Sequence, residues 1–196
     1  MTTDNTQLER CLKRVEERPD SPRAYFNLGL AYTQQGRVDQ AETAYRKALE
    51  LDPDLVEAWV NLGGVLMLRW DFENSMEANR EALKRKEDVL LAHYNLGQAC
   101  LYRGDADGVV QANRRVVELD PSHAQGRYFL AVGLLAQEKT DEAKAELARA
   151  RALGHSPSPD FLRALEQAEG KLQKGEGTVQ NVDQIGDETP KDAKEK

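Results

Sequence analysis

Three asparagines stand 34 residues apart, Asn27, Asn61 and Asn95, each directly before a Leu-Gly pair (Leu28-Gly29, Leu62-Gly63, Leu96-Gly97). An amide side chain donates and accepts at once, so it can pair with both polar groups of a peptide bond. Three such amides, one repeat apart, would form a ladder able to hold an extended backbone whatever its sequence. Phe129 takes the fourth position of the column, before Leu130-Ala131. The plainer alternative is an Asn tolerated in a repeat copied from one ancestor. Residues for catalysis are not brought together. His93, His123 and His155 have no neighbouring Cys or acidic spacing suited to a metal ion, and Cys11 and Cys100 lack CxxC spacing. Gly63-Gly64 lies within a helical pattern rather than in a phosphate-cradling loop. The expectation is a chain that is not an enzyme and needs no cofactor or metal.

An interval of 34 residues means one structural unit stacked on copies of itself, each too small to bury its apolar face alone. Every unit reads as two amphipathic helices and a short turn. In the first, Tyr25, Leu28 and Tyr32 mark one helical face, Gly36 breaks the pattern, and Ala41, Tyr45 and Ala48 mark a second helix ending at Pro53. The columns repeat in register: Tyr25, Trp59, His93, Arg127; Ala41, Ser75, Val109, Ala143; Ala48, Ala82, Val116, Ala150. Small residues there let paired helices approach closely. An acidic residue opens every second helix (Asp39, Glu73, Asp107, Asp141), worth about 0.3–1 kcal/mol each against the helix dipole.

The pattern Tyr25…Leu28-Gly29…Tyr32…Ala41…Tyr45…Ala48…Pro53 resembles the tetratricopeptide repeat, W-x2-L-G-x2-Y…A-x3-F…P. Four units fit it, 22–55, 56–89, 90–123 and 124–157. Asn79 and Asn113 depart from it where Tyr45 and Leu147 sit, Glu87 and His155 replace the terminal proline, and Trp70 and Glu138 replace the turn glycine. The resemblance implies an all-α right-handed superhelix, an α-solenoid whose first helices line a concave groove. The Asn ladder would then face that groove, flanked by Phe26, Leu30, Val60, Met67, Tyr94 and Gln98, and further along by Tyr102, Tyr128 and Phe129. Leu68, Leu101, Val132 and Leu135 fall on or beside the same face. For each apolar residue, a place in the inter-helix core is the competing reading. Chaperone-binding members of the family grip a terminal carboxylate with a clamp of Lys, Asn and Arg. Here Phe26, Leu91 and Asn95 occupy the basic slots and only Asn61 matches, so that clamp is not expected.

The ends read as caps. Thr6-Gln7-Leu8-Glu9 fits a capping box before an apolar stripe of Leu8, Cys11, Leu12 and Val15, making residues 1–21 an N-terminal helix in register with a second half-repeat. Ser158-Pro159 starts a C-terminal capping helix, 158–173, whose Phe161, Leu165, Ala168 and Leu172 face back onto the stack. From 174 to 196 the chain is polar, and disorder is expected. A net charge of -7 argues against nucleic acid as a partner, and no apolar run approaches the roughly 20 residues that span a bilayer. The first residues lack the marks of a secretory leader, and two unmatched cysteines suit a cytoplasmic location. The function expected is a protein-interaction module, an adaptor, scaffold or assembly factor that binds a protein or peptide segment in its groove. The alternatives are a self-associating homo-oligomer, with the groove filled by a second copy or by the chain's own tail, and a dedicated cytoplasmic chaperone.

Overall fold

In the computed structural model residues 3–174 are described, and among them are ten α-helices and no strand. They are α1 (Thr3–Glu17), α2 (Pro22–Gln34), α3 (Val38–Leu51), α4 (Val56–Leu68), α5 (Phe72–Arg85), α6 (Leu90–Tyr102), α7 (Ala106–Leu119), α8 (Ala124–Ala136), α9 (Thr140–Ala152) and α10 (Pro159–Lys174). The chain is an all-α helical-repeat solenoid. Its contacts fall into two compact units, one ending at Asn95 and one beginning at Leu96. Among the described residues no helix is long and apolar enough to cross a membrane.

The Leu-Gly columns have a direct packing cause. A Cβ on Gly29 would lie 2.5 Å from the ring of Tyr45, and one on Gly63 would lie 2.1 Å from the amide nitrogen of Asn79. In the second unit Gly97 stands in the same relation to Asn113, at 2.4 Å. Each glycine therefore admits one side chain of the helix that follows it, and any Cβ there would force that helix away. Tyr45 is fully buried with Phe26, Leu62, Val65 and Leu66 around it, and its hydroxyl meets Thr33 Oγ1 at 3.1 Å. Burial raises the Tyr45 phenol above its ordinary pKa, an effect opposed by the Thr33 hydrogen bond.

The Tyr25 column has a second regularity. Trp59 donates its indole N–H to the carbonyl of Pro53 at 2.8 Å, and His93 Nε2 bonds the carbonyl of Glu87 at 2.9 Å. Arg127 donates from Nε and Nη2 to the carbonyl of Pro121, at 2.9 and 2.8 Å. Three unlike side chains thus close the same turn by donating to the carbonyl six residues earlier, Trp59 and His93 through one N–H and Arg127 through two. Only a donor at a fixed height is required, which explains why the column tolerates Trp, His and Arg.

Turn geometry is equally regular. Gly36 and Gly104 have φ of +68° and +72°, and the equivalent Trp70 and Glu138 adopt +62° and +64°. The turn demands the left-handed conformation, and at two of its four places a residue with a Cβ is held there. Trp70 leans edge-on against Phe72, ring centres 5.9 Å apart. Helix starts are capped by Ser21, Asp71, Asp105, His123 and Ser158, which accept N–H bonds from Ala24, Asn74, Gly108, Gly126 and Phe161.

Two expectations for the first helix need correction. The helix already runs from Thr3, so Thr6 lies inside it and not at its start. Leu8 is buried with Leu28, Ala31 and Ala44, and Cys11 and Val15 pack beside it, but Leu12 is exposed because it is turned away from that stripe. At the other end Phe161, Leu165 and Ala168 are buried. Phe161 stacks edge-on against Tyr128 at 5.3 Å, and the Tyr128 hydroxyl meets Ser158 Oγ at 3.0 Å. The Leu172 side chain and the polar stretch from 175 onward lie outside the described residues.

Candidate functional site

The three asparagines of the column occupy three different environments. Asn27 is exposed on α2. Asn61 is half-buried on α4 and donates its amide N–H to the Glu57 carbonyl one turn earlier, at 2.7 Å. Asn95 is only 7 % exposed; its amide nitrogen faces Asn79 Oδ1 at 3.2 Å and the Val60 carbonyl at 3.5 Å. A ladder of three equivalent outward amides is not what the structure contains, since Asn95 is spent inside the fold. The cause is the neighbouring column. Asn79, unlike Tyr45, offers an amide oxygen, and its own nitrogen donates to the Ser75 carbonyl at 2.8 Å.

The second unit repeats half of this arrangement. Asn113 is fully buried and donates to the Val109 carbonyl at 2.9 Å, but its Oδ1 has no hydrogen-bond partner among the described residues. Sixteen residues after Asn79 stands Asn95; sixteen after Asn113 stands Phe129, which has no donor to give.

Several apolar candidates are also interior. Phe26, Val60, Tyr128 and Phe129 are buried, as are Leu101, Val132 and Leu135. Phe26 sits 6.0 Å from the Tyr45 ring, while Tyr128 lies between Phe129, His155 and Phe161. These side chains serve helix packing because the helix face they share is the one that meets the next layer. In the first unit Leu30, Met67 and Tyr94 are half-buried and Leu68 is 63 % exposed. In the second unit Gln98 is half-buried and Tyr102 is exposed. The accessible remainder in the first unit is therefore Asn27 and Leu30 on α2, Asn61, Met67 and Leu68 on α4, and Tyr94 on α6.

Several charges away from this face are neutralised locally. Arg69 meets Asp39 and Glu42, and Arg85 holds Glu81 at 2.8 Å and Asp54 at 3.1 Å while lying over the Trp59 ring. Lys84 and Arg85 together hold the Glu81 carboxyl below its usual range. Arg127 and Glu146, both largely buried, pair at 2.8 Å, and Arg149 closes on the other Glu146 oxygen. The Arg69, Arg85–Asp54 and Arg127–Glu146 pairs fix neighbouring helices and turns to one another.

Two family models described as tetratricopeptide repeat match the chain, over residues 22–55 and 68–124. No curated protein matches the sequence. Among solved structures, YrrB, described as a TPR protein with an unusual peptide-binding site, superposes with a TM-score of 0.73 at 21 % identity, covering 86 % of this chain and 85 % of its own. A MamA structure gives a TM-score of 0.70 at 17 % identity, covering 89 % and 98 %. MamA residues 41 to the end, from Desulfovibrio magneticus RS-1, give 0.71 at 18 %, covering 78 % and 86 %. Identities this low establish a shared fold.

Proposed function

Since this chain belongs to the tetratricopeptide-repeat family, a protein-interaction fold, we propose that it is a non-enzymatic cytoplasmic adaptor or assembly factor that binds an extended peptide segment. In this reading the repeats run 22–55, 56–89, 90–123 and 124–157, flanked by α1 and α10. The observation that supports it is the mixed face of α2 and α4. Asn27 is exposed, and Asn61, Leu30 and Met67 are half-accessible beside exposed Leu68. Amides there meet a backbone, and the aliphatic groups give area without demanding a particular direction. YrrB, a protein of similar fold, has a peptide-binding site, and the same class of ligand, bound through different residues, is proposed for this chain.

The test begins with a peptide selected on the wild-type chain from a random display library. Asn61→Ala should bind it about ten-fold more weakly, as expected from losing one or two hydrogen bonds. Circular dichroism should show the variant folded, since among the described residues the Asn61 side chain bonds only its own helix. Unchanged affinity in the folded variant would remove Asn61 from the site. Self-association is the second reading, favoured by the exposed Leu68 and Leu91. Light scattering over a concentration series decides it, a constant monomer mass excluding it.

A further inference from the structure

A cleft of about 510 Å³ opens between α1 and α2 in the first unit. Four of its eleven lining residues are arginines, Arg10, Arg14, Arg18 and Arg23, and none is acidic or aromatic. In a chain with 34 acidic residues against 27 Lys and Arg, that local excess runs opposite to the whole. Arg23 pairs with Glu57 at 3.2 Å. The exposed Arg10, Arg14 and Arg18 have no carboxylate within ion-pair distance among the described residues, whereas Arg46, Arg69 and Arg85 of the same unit do. The first two stand at i and i+4 on one face of α1, where like charges repel, and Arg18 extends the row past the helix end, its N–H bonded to the Arg14 carbonyl at 3.0 Å. An anion in the cleft would convert that repulsion into attraction.

The opposite wall carries amides. Asn27 and Gln34 lie seven residues apart on α2, about 10 Å at 1.5 Å per residue. The arginine row spans about 12 Å by the same rise, which matches three or four residues of extended chain at roughly 3.3 Å each. A nucleic-acid strand would need a basic track continuing beyond the cleft and rings on which bases stack, and the lining has no ring. Cys11 sits on the floor, its thiol within 3.6 Å of the Asn27 carbonyl oxygen, tying the two walls together.

We propose that this cleft binds a short acidic segment of a partner protein in extended form, its side-chain carboxylates held by Arg10, Arg14 and Arg18 and its peptide groups by Asn27 and Gln34. The proposal rests on the peptide-binding reading above and names the chemistry of the ligand. It is distinct from a clamp for a chain terminus, because the basic groups lie on the helix that precedes the first repeat.

The test uses the full chain and three fluorescent probes: an end-blocked hexapeptide of alternating aspartate and glutamate, its asparagine–glutamine counterpart, and a twelve-nucleotide oligothymidylate. The acidic peptide should bind at least ten-fold more tightly than the amide peptide. Arg10→Gln with Arg14→Gln should weaken it about ten-fold or more, as should raising sodium chloride from about 50 to 500 mM. Bound acidic peptide should also slow alkylation of Cys11 by iodoacetamide. Equal binding of both peptides, tighter binding of the oligonucleotide, or an unaltered affinity in the double variant would overturn the proposal. Both arginines are exposed, and a circular dichroism melt checks that the variant is folded. Asn61 is outside the cleft, which separates the two claims. An acidic peptide lost on Asn61→Ala but not on the arginine variant would sink the cleft and leave peptide binding standing. The reverse result would support the cleft and remove the Asn61 face.

Discussion

Two buried asparagines of identical column position should answer the same substitution with opposite signs. Asn113 Oδ1 is buried without a hydrogen-bond partner among the described residues, at a cost of about 1–3 kcal/mol, and Leu is close to Asn in size and shape. Asn113→Leu should therefore raise stability by about 1 kcal/mol, once the lost bond to the Val109 carbonyl is set against it. Asn79→Leu removes the acceptor for the buried Asn95 amide and should lower stability by about 1–3 kcal/mol. Urea titration of the three proteins checks both signs; a shared sign would show that the column, not the partner sixteen residues on, controls the cost. Tyr45 gives a pH dependence. Its phenol is raised above 10, so the folded chain holds that proton more tightly than the unfolded one, and stability falls as pH climbs past the unfolded value. Tyr45→Phe should flatten the fall, measured as melting temperature between pH 8 and about 11.

At the scale of the element, most helices were legible because the columns are set by a period, and a period survives substitution. Their turns were legible too: Trp70 and Glu138 stand where Gly36 and Gly104 do, and all four adopt the left-handed conformation. Glu138 is exposed, so Glu138→Gly should relieve backbone strain of about 1–2 kcal/mol, offset by the greater freedom of an unfolded glycine. A gain of roughly 1 kcal/mol in thermal or urea unfolding is expected; a loss would mean that the Glu138 side chain contributes more than its backbone costs. The caps were less legible. Acids in the first turn were visible, yet the hydrogen-bonding caps are Asp71 and Asp105, two residues earlier, and His123, whose role depends on which ring nitrogen faces the helix. The candidate site was legible only in part. A helix face that meets a neighbour and a helix face that meets a ligand carry the same residue types, so burial of Phe26, Val60 and Asn95 could be decided only by the side chains opposite. The arginine row of α1 was missed for another reason: it lies outside the repeat, where no column drew attention to it.

Across the whole molecule, a solenoid's stability is close to a sum of terms for each repeat and its nearest neighbours, so defects remain local. The second unit shows this in one chain of contacts. In α8 every residue from Tyr128 to Leu135 is buried, and Phe161 and Ser158 of the α10 end pack onto Tyr128. In α7, by contrast, the buried Asn113 leaves an acceptor unsatisfied against Gly97. Opening of α7 returns that oxygen to water, whereas opening of α8 exposes a continuous apolar run, so α7 should open at lower free energy. Amide hydrogen exchange should then find α8 the slower of the two by about ten-fold, the equivalent of roughly 1.4 kcal/mol in opening free energy. Asn113→Leu should narrow that gap by slowing α7 and leaving α8 nearly unchanged. Equal protection of the two helices in the wild-type chain would mean that the Asn113 oxygen is satisfied by a water molecule inside the fold. A variant that slowed both helices equally would mean that the repeats open together and not one pair at a time.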